Sequence, residues 1–215
     1  MIREVPSNEL FTILLMACLL IVAIAKLVSS KRFTDFIYVF TNSKYLNIYA
    51  RDQKFFDKFD ALLFINLIIS AAIFLVLALQ FYNGIDFTSI NLLFKITVGI
   101  GSFILIKVLI ERLIGSLFEI DNLIDAYLFQ KITYKNYLGL ILLPINAFLI
   151  YSFKPSVLLF YIMLSLLFIV NITGLITSFK RHQSLIKNNF FYFILYLCAL
   201  EIAPYIILYK VFILD

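Results

Sequence analysis

Residues 29–60 read SSKRFTDFIYVFTNSKYLNIYARDQKFFDKFD, the one long polar segment in a chain that is otherwise nearly continuous hydrocarbon, and how this stretch is read decides the fold. It carries Lys31, Arg32, Lys44, Arg51, Lys54 and Lys58 against Asp35, Asp52, Asp57 and Asp60. Immediately before it, Leu10 to Val28 is an apolar run of about 19 residues, enough for a helix to cross a hydrocarbon core roughly 30 Å thick. Arg3 is set against Glu4 and Glu9, and Lys26 to Arg32 lie at the far end of the run. That charge order reads as a retained first span, not a cleaved leader.

Composition points the same way. Hydrophobic residues make up 63% of the 215 and charged residues only 14%, and the mean hydropathy is +1.02. That balance excludes an ordinary soluble domain and makes lipid the natural solvent. The net charge of +5 is small and gathered into particular loops, so membrane topology explains it better than nucleic acid does. Cys18 and Cys198 fall in apolar runs, where a thiol behaves as a small hydrophobe. No Cys/His ligand spacing suggests a metal, and no cofactor is implied.

Working outward, the apolar runs predict an all-α polytopic transmembrane helical bundle of about six spans, at 10–28, 61–82, 91–113, 137–153, 156–179 and 190–212. Residues 29–60 form a connector containing an interfacial amphipathic helix after the first span. There Phe33, Phe36, Ile37 and Phe40 recur on one helical face, with Lys31, Arg32 and Asp35 elsewhere and Ser29 or Ser30 as a cap. The aromatic face would turn to lipid or to the bundle. In the third span Gly99, Gly101 and Ser102 permit close helix approach. All but Arg3, Lys95, Lys154 and Lys210 of the eighteen basic residues fall on one side of this arrangement. The positive-inside bias then puts 29–60, 112–136 and 180–189 in the cytoplasm and both termini outside.

Four groups of residues bear on function. Glu201 falls midway along the sixth span, where inserting a carboxylate costs on the order of 2.5–3.5 kcal/mol on translocon scales. Pro204 leaves the Leu200 carbonyl without its usual donor, and Tyr205 lies one turn beyond Glu201 on the same face. With Asn171 and Asn146 at similar depth, Glu201 reads either as a proton or cation site or as a neutral carboxyl bonded to an amide between helices. Lys107 and Glu111, one turn apart beside Arg112 near the inner boundary, have the spacing of a modest ion pair, and the lysine reads as snorkelling to the headgroups, the alternative being a gate or substrate clamp. Asp121 and Asp125 share a face but lack the second acidic motif that holding a diphosphate through magnesium requires. His182, the one histidine, has no nucleophile or ligand set beside it.

The first span followed by Lys31-Arg32-Phe33, the segment Tyr45 to Asp52 with Tyr49 and Arg51-Asp52, and the further spans in a Phe/Ile/Leu/Tyr-rich chain resemble an uncharacterised polytopic membrane-protein family of Bacteroidota, domain of unknown function 4271. The resemblance implies an inner-membrane location, no catalytic residues, and a link to an envelope machine such as type IX secretion or gliding. The expectation is a non-enzymatic accessory or assembly subunit. Its contacts would be the bilayer and either a protein partner in the inner membrane or a second copy of itself. Lys31, Arg32, Phe33, Phe36, Phe40 and Arg51 would carry the contact. The alternative is a proton-coupled transporter or channel component centred on Glu201.

Overall fold

The structure, a computed structural model, describes residues 9–40, 44–49, 57–83, 90–117, 121–151, 157–181 and 210. Within them the chain is helical: α1 (Glu9–Val28), α2 (Ser30–Ile37) with a 3-10 turn (Tyr38–Phe40), α3 (Lys44–Tyr49), α4 (Lys58–Asn83), α5 (Ile90–Leu117), α6 (Asp121–Tyr151) and α7 (Val157–Arg181). Three of these, α1, α4 and α5, are long and apolar enough to cross a membrane, and α7 holds a shorter apolar stretch, Phe160–Gly174. Of the predicted sixth span, 190–212, only residue 210 is among the described residues.

The bundle is built on α4 and α6, the pair in most extensive contact. They run parallel, and two side-chain bonds fix their register. Asn136 Nδ2 donates to the Asp60 carbonyl at 3.4 Å and Asn146 Nδ2 to the Ser70 carbonyl at 2.8 Å, each across 76 residues of sequence. Between these rungs Gly139 meets Leu67 so closely that a Cβ on the glycine would lie 2.7 Å from the Leu67 Cα. A buried amide reaching a neighbouring main chain needs such a close approach, and it gains value where no water competes. Helix α1 packs on α4 through Phe11, Leu15, Cys18 and Ala25, α5 packs on both α4 and α6, and α7 packs on α6.

Three expectations change. The helix of the fourth span, expected from residue 137, begins at Asp121: the polar region 121–136 forms the first half of α6, because Ile124, Tyr127 and Leu128 make an apolar face that packs on Val108 of α5. Ser29 does stand at the N-cap of α2, but its side chain makes no capping bond. Of the small residues in α5, Gly101 packs on Ile68 whereas Gly99 faces open space.

Candidate functional site at the basic end of the bundle

Helices α1 and α5 end, and α4 and α6 begin, at the same end of the bundle, and α2 and α3 close it. The sequence breaks helix at Ser29, whose φ of −152° and ψ of 74° turn α2 away from the axis of α1. Helix α2 then presents Arg32, Phe33 and Phe36 inward, while Lys31 and Thr34 face out. Arg32 is only 7% exposed. Its Nη2 donates to Asp60 Oδ2 at 2.7 Å, its Nη1 to Asp57 Oδ2, and its Nε to the Tyr45 hydroxyl oxygen at 3.3 Å. The guanidinium carbon lies 4.9 Å from the Phe59 ring centroid and 5.1 Å from that of Tyr49. One planar fork therefore ties α2, α3 and the start of α4 together, a geometry available to Arg and not to Lys.

Electrostatics follow from that enclosure. Burial alone would lower the Arg32 pKa, but Tyr45, Asp60 and Asp57 outweigh it and hold the guanidinium above its ordinary value. The Tyr45 phenol is pushed well above the ordinary tyrosine range, first by burial and then by the Asp60 carboxylate, with Arg32 opposing. Around these polar groups stands an aromatic shell. Phe36 meets Tyr45, Phe59 and Tyr137 at 5.5–5.9 Å. Tyr45 also stacks on Phe129 at 5.9 Å, and Phe40 packs on Tyr137 at 4.7 Å.

A second buried ionic group lies between α5 and α6. Glu111 is fully buried and its Oε1 accepts a hydrogen bond from Lys131 Nζ at 2.6 Å, while Oε2 has no hydrogen-bond partner. Lys107, one turn earlier, is 6% exposed. Lys107 is thus buried where snorkelling to the headgroups was expected, and Lys131 of α6 holds the Glu111 carboxylate. Packing of α6 on α5 covers the face that a lone helix would leave open. Arg112, by contrast, makes an exposed contact of 3.7 Å with Asp125.

The structure divides the residues predicted to meet a partner. Arg32, Phe33 and Phe36 are buried in the chain's own core, since the bundle uses the aromatic face itself. Lys31 is exposed, Phe40 is partly covered by Tyr134 and Tyr137, and Arg51 lies outside the described residues. Asn146 is fully buried and joins α6 to α4. Asn171 falls on α7 at a position whose side chain is not described, and Glu201 and Tyr205 lie outside the described residues. The sequence alone pointed to none of Asp57, Asp60 and Tyr45 as partners of Arg32, nor to Lys131 as the partner of Glu111. Arg32, expected away from the aromatic face, is turned inward with it; the signal for this is that Arg32 stands one turn before Phe36.

The family described as Domain of unknown function (DUF4271) matches residues 11–212. The chain belongs to this family. No curated protein and no solved structure matches it. The DUF4271 match begins in α1 and takes in all of α2 to α7, so the Arg32 centre and the α5–α6 ion pair both lie within the family's own extent.

Proposed function

We propose that this DUF4271 protein is a non-enzymatic accessory or assembly subunit of a bacterial inner-membrane complex, with the basic end of its bundle in the cytoplasm. The observation that supports this reading is the Arg32 centre. It uses up the inner face of α2 and α3 and so holds their outer face, with exposed Lys31, Ile37, Tyr38 and Ile48, in a fixed position at the end of the bundle. A rigid surface of mixed aromatic, aliphatic and basic character suits a protein partner: aromatic anchors supply the contact energy and the lysine supplies orientation. The link to secretion or gliding machinery rests on the family resemblance alone.

The test is purification in mild detergent of the full chain and of a Lys31→Glu/Tyr38→Ala variant. Under this reading the wild type brings down a membrane-complex component in constant ratio, and the double variant loses it while keeping the wild-type unfolding temperature. A chain that purifies alone, with its cellular role unaffected by the double substitution, would sink the proposal.

A further inference from the structure

Near its basic end α5 carries a shallow cleft of about 460 Å³ lined by Leu109, Arg112, Leu113, Ser116 and Leu117. These positions follow the i, i+3, i+4, i+7, i+8 pattern, so the cleft runs along one helical face for about 12 Å. Leu109, Leu113 and Leu117 are exposed, as is Ile106 one turn nearer the middle of the helix. The 28 residues of α5 make about 42 Å of helix against a hydrocarbon core of roughly 30 Å. A span that begins near Ile90 therefore leaves the core close to Arg112, at headgroup depth.

Charge of both signs stands beside this apolar track. Arg112 Nε lies 3.7 Å from Asp125 Oδ1 of α6, an attraction longer than a hydrogen bond, with the two side chains 44% and 52% exposed. Asp121 is also exposed, one turn before Asp125 on the same face of α6. Among the described residues, neither aspartate nor Ser116 makes a hydrogen bond through its side chain. Behind them α5 and α6 approach so closely that a Cβ on Gly115 would lie 2.9 Å from the Ile124 Cβ, which holds the cation and the carboxylate at a set spacing. A guanidinium and a hydroxyl suit a phosphate, because the planar fork can donate two parallel N–H bonds to it. A purely anionic headgroup would bring its charge against two carboxylates. A headgroup with a primary ammonium on a short tether from the phosphate satisfies both signs, and its three N–H donors suit carboxylate acceptors.

We propose that this α5–α6 cleft binds phosphatidylethanolamine. Arg112 and Ser116 take the phosphate, Asp125 and Asp121 take the ammonium, and an acyl chain lies along Ile106, Leu109 and Leu113. The site is separate from the docking surface on α2 and α3, and it uses neither the Arg32 centre nor the Glu111–Lys131 pair. A lipid seated there bridges α5 and α6 from the outside, close to where Glu111 and Lys131 join the same two helices from within.

The experiment titrates the full chain, delipidated in mild detergent, with phosphatidylethanolamine, its N-methylated derivatives up to phosphatidylcholine, and phosphatidylglycerol, all with the same acyl chains. Native mass spectrometry reads bound lipid, and the unfolding temperature reads its effect. Phosphatidylethanolamine should bind several-fold more tightly than phosphatidylcholine or phosphatidylglycerol, with affinity falling at each added methyl as N–H donors are lost. Asp125→Asn should keep the lipid-free unfolding temperature and bring phosphatidylethanolamine down to the level of phosphatidylcholine. Asp125→Lys should move the preference to phosphatidylglycerol. Equal binding of all headgroups, a wild-type preference for phosphatidylglycerol, or no lipid retained by the wild type overturns the proposal. So does a folded Asp125→Asn that keeps the full preference for phosphatidylethanolamine. If neither variant folds, the N-methylated series decides on the wild type alone.

Discussion

Arg32 shows how much one side chain can settle. A guanidinium at this depth is tolerable only with its donors engaged, and two aspartates, a phenol and two ring faces engage them. Removing the cation would take from Asp60, itself only 4% exposed, the guanidinium its Oδ2 is bonded to. Arg32→Ala should therefore cost about 3–5 kcal/mol, the range for breaking one partner of a buried pair. Arg32→Lys should recover only part of that, because a single ammonium cannot serve Asp57, Asp60 and Tyr45 at once. Denaturant unfolding in detergent measures both.

Tyr45 gives the same centre a pH signature. Its folded pKa lies above the unfolded value near 10, so its contribution is intact below pH 10 and declines as pH rises through the folded value. Stability of the wild type should fall on the alkaline side of pH 10, and a Tyr45→Phe variant, less stable at neutral pH, should show a shallower alkaline decline. Thermal unfolding between pH 8 and about 12 tests this, and parallel curves for the two proteins would contradict the assignment.

Among elements, the α4–α6 pair matters most. Its two asparagine rungs and the contact at Gly139 require the helix backbones to stay close, so the effect of adding one methyl group depends wholly on where it falls. At Gly139 the new Cβ would stand 2.7 Å from the Leu67 Cα and 2.9 Å from its Cβ, and main chain cannot yield as a flexible side chain can. Gly139→Ala should destabilise by about 1–3 kcal/mol, the usual cost of overpacking. Gly99→Ala meets nothing within 4 Å and should instead stabilise by roughly 0.5–1 kcal/mol through the lower backbone entropy of alanine in a helix. Opposite shifts in unfolding temperature are expected; equal ones would mean the close approach is absent.

Across the whole molecule, alternating helix direction brings Lys26, Lys31, Arg32, Lys58, Lys107, Arg112, Lys131 and Lys135 to one end of the bundle. Contacts between Phe36 and Tyr137, Glu111 and Lys131, and Tyr134 and Gly174 all lie in that half. Phe11 with Ile73 and Leu93, Thr12 with Tyr151, and Phe81 with Phe160 lie in the other. Reporters inserted after Phe40 and after Glu119 should therefore share one compartment, the cytoplasm, and one inserted after Asp86 should occupy the other. Fluorescence and phosphatase fusions distinguish the two, and like signals at Phe40 and Asp86 would break the alternating topology.

Apolar run length determined much of this by itself. A segment such as Leu10 to Val28 has few ways to satisfy its backbone in lipid other than helix, so helical class, the boundaries of α1 and α4, and the clustering of basic residues are all readable without coordinates. The resemblance to the family lay at the same level, in the layout of spans around Lys31-Arg32-Phe33. Partner choice was not readable. Lys107 looks like a snorkelling side chain and Arg32 like a surface charge, until α6 and α4 pack over them and bring Lys131 to Glu111 and Asp57 and Asp60 to Arg32. Periodicity reports which residues share a face, but only tertiary packing decides what that face meets, and for a charged group in an apolar interior that neighbour determines its role.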